Sequence, residues 1–195
     1  MKNVKLILSV KLLFICIVLA FSGQAYALAI SPGMQILDGT DMPASYTPPN
    51  SQDVITDFLN DMLEPDLVEL YKNDVGDGES GSLQGSYDTT FLNTASDPSG
   101  ATIAYTGGPI ISDAFLLVKD GGAEPYWYLF DLTAGGLNWN GTDVLELSGF
   151  WPNQGAISHV ALYGTPVPEP ATMLLLGTGL IGIAGISRKK IIKNR

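Results

Sequence analysis

The chain has 195 residues, 46% of them hydrophobic, and a formal net charge of −10. Between Leu28 and Val167 there are 2 basic residues, Lys72 and Lys119, against 19 acidic ones, a formal charge of −17. A surface of that sign repels phosphate backbones, which argues against nucleic-acid binding, and it can attract divalent cations.

Residues 1–27 read as a signal peptide. "MKNVK" supplies a positive start, and "LLFICIVLAF" is an apolar run too short for an ordinary spanning helix. Ala25, Tyr26 and Ala27 then give the small-x-small pattern that signal peptidase requires. Cys16 lies in the apolar run without the small neighbour a lipid-attachment signal needs, and cleavage leaves a chain with no cysteine. An exported domain without disulfides must rely on core packing, with bound metal as a further option.

Residues 28–50 are rich in Pro and turn formers and read as a linker or edge segment. "SQDVITDFLNDML" places Val54, Ile55, Phe58, Leu59, Met62 and Leu63 at helical spacing. Asn50 or Ser51 is the expected cap, Asp53 suits the positive helix end, and Pro65 stops the helix. Seven runs of strand length follow: "LVELYK", "SYDTTF", "ATIAYT", "AFLLVKDG", "YWYLFDL", "DVLELSGFW" and "AISHVALYG". They are rich in β-branched and aromatic residues and separated by Gly, Asn, Asp and Pro clusters. No long helices alternate with them, so the expectation for 51–165 is an acidic antiparallel β-sandwich or jelly roll with one short N-terminal helix.

Four constellations in this body are candidates for chemistry. Asn73, Asp74, Asp77 and Glu79 gather oxygen donors in a Gly turn, as calcium loops do, but Val75 and Gln84 break the EF-hand pattern. Trp127, Trp139 and Trp151 are candidates for stacking on sugar rings, against the alternative that they fill the core. His159, the single histidine, reads as a strand residue bonded to a neighbour; no cysteine and no nucleophile-elbow serine accompanies it. Glu124, Asp131, Asp143 and Glu146 are conceivable acid–base partners on late strands, and Asn140-Gly141-Thr142 is a glycosylation sequon.

The chain ends in "VPEPATMLLLGTGLIGIAGISRKK". Ala171–Ile186 is uncharged and would span about 24 Å as a helix, somewhat short of a hydrocarbon core of about 30 Å. Its glycines suit a membrane better than water. Arg188, Lys189, Lys190, Lys193 and Arg195 then hold residues 188–195 on the cytoplasmic side. A transmembrane helix over 171–187 is the expectation.

The order Val167-Pro168-Glu169-Pro170-Ala171-Thr172, short apolar helix, Arg-Lys-Lys resembles the PEP-CTERM sorting tail of exported bacterial proteins, and the resemblance covers 166–190. That tail is also known as the ice-binding protein C-terminal domain; the body has no repeated T-x-T array to go with that label. The resemblance implies recognition by exosortase, a membrane-embedded transpeptidase, with a cut near Pro168-Glu169-Pro170. It further implies delivery through an inner-membrane intermediate to the cell surface or extracellular polysaccharide matrix of a Gram-negative bacterium. The two prolines keep the cut segment extended. The resulting expectation is a surface or matrix protein that is not an enzyme and has no required cofactor. A carbohydrate-binding module is the alternative, and a glycan hydrolase a third reading.

Overall fold

A computed structural model describes residues 26–63, 68–93, 97–120, 122–134, 136–152, 155–167 and 177–179. Among the described residues the fold is mainly β, with two sheets and a helix packed on the larger of them. The elements are β1 (Ala27–Ile30), β2 (Leu37–Asp38), α1 (Gln52–Met62), β3 (Val68–Asp74), β4 (Gly78–Ser80) and β5 (Tyr87–Leu92). They continue with β6 (Gly100–Tyr105), β7 (Ile110–Lys119), β8 (Trp127–Asp131), β9 (Val144–Leu147) and β10 (His159–Val167). The four-stranded sheet has the order β1-β9-β6-β5, and the six-stranded sheet β2-β8-β7-β10-β3-β4.

Alternation along the strands explains the layers. In β10, Val160 and Leu162 point toward the other sheet and join Leu116, Val118, Phe130, Tyr87, Ile103 and Leu145 in one core. Ala161 and Tyr163 point the other way, with Leu117, Trp127 and Leu129. That second face is covered by Ile55, Phe58 and Leu59 of α1. The six-stranded sheet is thus buried on both faces, which is why β7 and β8 read as near-continuous apolar runs.

All seven expected strands are present. The structure adds three short ones and corrects one expectation. Of the two readings of 28–50, linker or edge segment, it shows the second: each sheet gains an edge strand, β1 beside β9 and β2 beside β8. The β1–β9 pair is parallel, so the sheets are not wholly antiparallel. In α1, Ser51 occupies the N-cap position but makes no side-chain cap bond, and Met62 is exposed. Pro65 lies outside the described residues, as does the expected span 171–187 apart from 177–179, which are helical. Among the described residues no helix is long and apolar enough to cross a membrane.

Both chain exits lie at one end of the sheets. β1 begins there and β10 ends there, with the 106–109 and 139–144 loops between them. This end is called the exit pole. At the far pole lie the ends of β3 and β7, the start of β10, and the described residues of the 120–126 and 149–158 loops.

Candidate functional site

Strand β10 leads toward the tail and carries a bulge before its last described residue, Val167. Gly164 adopts φ +146° where the β10–β7 register shifts, and a Cβ there would lie 2.6 Å from both Ile111 Cγ2 and the Ser112 carbonyl. Only glycine fits such a bulge. Beyond it, Thr165, Pro166 and Val167 pair with Ser112, Ile111 and Ile110 of β7. Among the described residues β3 pairs with β10 only as far as Gly164, and the last stretch is paired through β7. Val167 is the last described residue of β10 and already belongs to the Val-Pro-Glu-Pro segment that begins the tail. Pro168, Glu169, Pro170, Ala171, Thr172, Arg188, Lys189, Lys190, Lys193 and Arg195 lie outside the described residues, as does Ala25. Ala27 is the first residue of β1, opposite Val144.

The tryptophans do not offer stacking faces. Trp127 is 0% exposed, and Trp139 and Trp151 are 6% exposed. Trp139 Nε1 donates to the Asp143 carbonyl (2.7 Å) and Trp151 Nε1 to the Pro125 carbonyl (3.0 Å). Their bulk fills the cores, the alternative noted from sequence. The accessible aromatic concentration lies elsewhere, in a half-open groove of about 300 Å³ at the far pole. Its lining includes Met42, Pro43, Tyr46, Glu124, Pro125 and Tyr126. Tyr46 donates to Asp61 and Tyr126 to Glu124, so both rings are held in place by carboxylates. Sequence reading missed this groove because its walls come from segments nearly 80 residues apart in the chain.

The Gly-turn acids are likewise not gathered around a point. Asp74 pairs with Lys72 (2.7 Å). Glu79 Oε1 instead accepts from Tyr71 OH (2.8 Å), Thr89 N (3.2 Å) and Asn73 Nδ2 (3.5 Å). Thr89 belongs to β5 in the other sheet, so Glu79 is a staple between sheets. Among the described residues no group of three or more His, Cys, Asp or Glu side chains is placed to hold a metal. Glu124, Asp131, Asp143 and Glu146 do not converge either. Glu124 is at the far pole, Asp143 binds Tyr26 N at the exit pole, and Asp131 accepts from Thr133 and Ala134 in its own turn.

The two lysines of the acidic body do converge, and with its one histidine. Lys119, His159 and Asp74 stand opposite one another on neighbouring strands, on the face that α1 covers. His159 Nε2 lies 2.8 Å from Gln52 Oε1 and Nδ1 lies 3.5 Å from Asp74 Oδ1. Gln52 Nε2 donates to Tyr163 OH (2.6 Å), and Tyr163 OH to Glu69 (3.2 Å). Burial, then the charges of Lys72 and Lys119, push the imidazole down to about 3 against the opposing pull of Asp74. Burial lowers Lys119 and raises Glu69. The neutral ring ties the start of α1 to the sheet; Ser158 Oγ donates to the Lys119 carbonyl and is not its partner. Beside it, buried Asp120 accepts from Gly122 N, Ala123 N and Ala156 N, and so orders two far-pole loops. Sequence reading did not single out Asp120, although the D-G-G turn it opens is a signal for such a role.

These features define a two-sheet β domain followed directly by a C-terminal sorting signal. Residues 166–189 match the family model of the PEP-CTERM protein-sorting motif. That motif carries export, processing by exosortase and sorting to the cell surface. No curated protein and no solved structure matches the chain.

Proposed function

We propose that this chain is a non-enzymatic exported surface protein of sandwich fold. Its tail anchors it in the inner membrane until exosortase cuts near Pro168-Glu169-Pro170 and releases it to the surface or extracellular matrix of a Gram-negative cell. One observation carries the reading: the match to the sorting motif begins at residue 166, within paired strand β10, so the domain is the cargo and the tail its address. In this reading signal peptidase cuts after Ala27, the span 171–187 stops transfer, and the basic residues from Arg188 onward fix its orientation. The domain works without a cofactor. An epitope tag placed after Arg195 tests it. The tag should be absent from the mature protein in cells with active exosortase and retained when exosortase is deleted. A tag that persists on the mature protein in active cells overturns the reading.

A second reading, glycan binding, moves from the tryptophans to the groove. Tyr46 and Tyr126 supply ring faces, and Glu124 can accept from sugar hydroxyls. Anionic uronates would be repelled by this acidic surface, so neutral glycans are the class to try. Glycan-array binding lost in Tyr126→Ala supports it; an array with no signal for the wild-type domain dismisses it.

A further inference from the structure

The exit pole has a geometry that bears on how the precursor sits on its membrane. Tyr26 is held by Asp143 and Val144: its N–H donates to Asp143 Oδ1 (3.1 Å) and its carbonyl accepts from Val144 N (2.8 Å). Asn140 Oδ1 accepts from Thr142 N (2.8 Å) and Asp143 N (2.9 Å), which folds residues 140–143 into a tight turn. Gly141, at the tip of that turn, lies against the start of β7; a Cβ on it would sit 3.0 Å from Ile110 Cβ. Ile110 is the register partner of Val167. One short loop therefore touches the entry of β1 on one side and the strand paired with the end of β10 on the other. Summing a ladder spacing at each pairing and one tight turn puts Tyr26 and Val167 on the order of 20 Å apart. Exits at opposite ends of a ten-residue strand such as β7 would be at least about 30 Å apart.

The loop is braced from within. Tyr87 OH donates to the Gly141 carbonyl (3.1 Å) and accepts from Ile111 N (3.1 Å). Its ring packs against Trp139 and Tyr105, with centroids 5.9 and 5.7 Å away. The turn that links the two exits is thus braced from within by a buried tyrosine.

We infer that this pole is the membrane-facing surface of the precursor: leader and tail leave it side by side, so either one alone presents the same face to the bilayer. The order of the two cuts then does not change the orientation of the domain, and the groove at the far pole points away from the lipid. The inference rests on the proposed anchoring by the tail, and the following experiment separates the two.

Full-length chain carrying Cys16→Ser receives single cysteines at Thr106 or Asn140 on the exit pole, and at Ser45 or Glu124 on the far pole; all four positions are exposed. Each is given an environment-sensitive fluorophore and reconstituted into phosphatidylethanolamine–phosphatidylglycerol vesicles holding a headgroup nitroxide quencher. Quenching should be several-fold stronger at Thr106 and Asn140 than at Ser45 and Glu124. Equal quenching at both poles, or the reverse order, on vesicle-bound protein overturns the inference. Thr106 serves alone if loss of the Asn140 turn prevents folding. A second measurement does not depend on anchoring. Spin labels at Tyr26 and Thr165 of the full chain in detergent should give a distance near 20 Å, and one beyond about 30 Å overturns the shared pole. Protein that floats free of the vesicles while the labels remain close overturns the anchoring reading and the membrane-facing assignment, and leaves the shared pole standing.

Discussion

The two poles are held by different chemistry. At the exit pole the brace is neutral: the Tyr87 hydroxyl, pushed up to about 12 by burial, bonds two backbone groups and keeps its proton throughout the physiological range. At the far pole the ties are ionisable: His159, Lys72, Lys119 and Asp74 beside α1, and Asp120 between two loops. The difference teaches that the internal brace of one end is a neutral, buried hydroxyl, while the other end is tied by ionisable groups and carries the open groove. An end that holds two chain exits gains from the first design, because its geometry then stays constant as conditions outside the cell change.

The largest effect should come from breaking the neutral brace. Tyr87→Ala removes ring contacts with Tyr71, Tyr105 and Trp139 and orphans the Gly141 carbonyl and Ile111 N–H. Truncating a buried aromatic of this kind costs about 3–5 kcal/mol, and the melting temperature should fall by roughly 10 °C or more. Tyr87→Phe keeps the ring and should cost about 1–3 kcal/mol, the share of the two orphaned polar groups. A melt unchanged in both variants would mean that the exit pole is not braced through Tyr87.

The far pole should respond to acid. His159 takes a proton near pH 6.5 when unfolded and only near 3 when folded. The unfolded state thus binds more protons in between, and the stability that neutral His159 provides, full above pH 6.5, drains away as pH falls toward 3. Between pH 7 and pH 5 this loss amounts to about 1–2 kcal/mol. Glu69, raised by burial, opposes it from the carboxylate range: its contribution is present below about 4.5 and lost as pH rises through its folded value. Urea melts across pH 5–7 should show the wild-type slope, and His159→Gln should flatten it. Hydrogen exchange should place the acid-induced opening at Ser158 and Gly122 amides before those of Ile111 and Val144. Simultaneous opening at both poles would erase the contrast between them.

Sequence alone shows the strands because period-two alternation and turn residues are local signals. "AISHVALYG" separates Val160 and Leu162 from Ala161 and Tyr163, and the structure buries the two sets on opposite faces of the same sheet. For 28–50 the sequence leaves linker and edge segment both open, because edge strands of four and two residues borrow their definition from distant partners, Val144 to Leu147 and Leu129. The sorting motif is legible because an enzyme reads it as linear sequence. Sites made by three-dimensional convergence are not: the tryptophans look like a binding face until the second core beneath α1 and the packing between sheets enclose them. Asn73, Asp74, Asp77 and Glu79 look like one ligand set because spacing says nothing about which strand each oxygen faces.

Glu79 lies between the poles, and its variants give the smallest effect and the finest test. Its Oε1 joins β3 to β5 through Tyr71 OH and Thr89 N, and the Tyr71 hydroxyl, raised by burial, stays protonated as a donor. Tyr71 OH keeps a second partner in Thr89 Oγ1 (2.7 Å), so Glu79→Ala does not strand it. The loss is then one or two bonds at a solvent-facing strand, about 1 kcal/mol, and Glu79→Gln, which keeps an acceptor oxygen, should recover most of it. Calcium would act in the opposite sense, since a bound cation needs this oxygen and Glu79→Gln would abolish its site. A chelator titration on the wild-type protein separates the two roles. An unmoved melting temperature, with Glu79→Ala still destabilised, assigns the residue to the staple; a drop that added calcium reverses, and that Glu79→Gln does not show, assigns it to a metal.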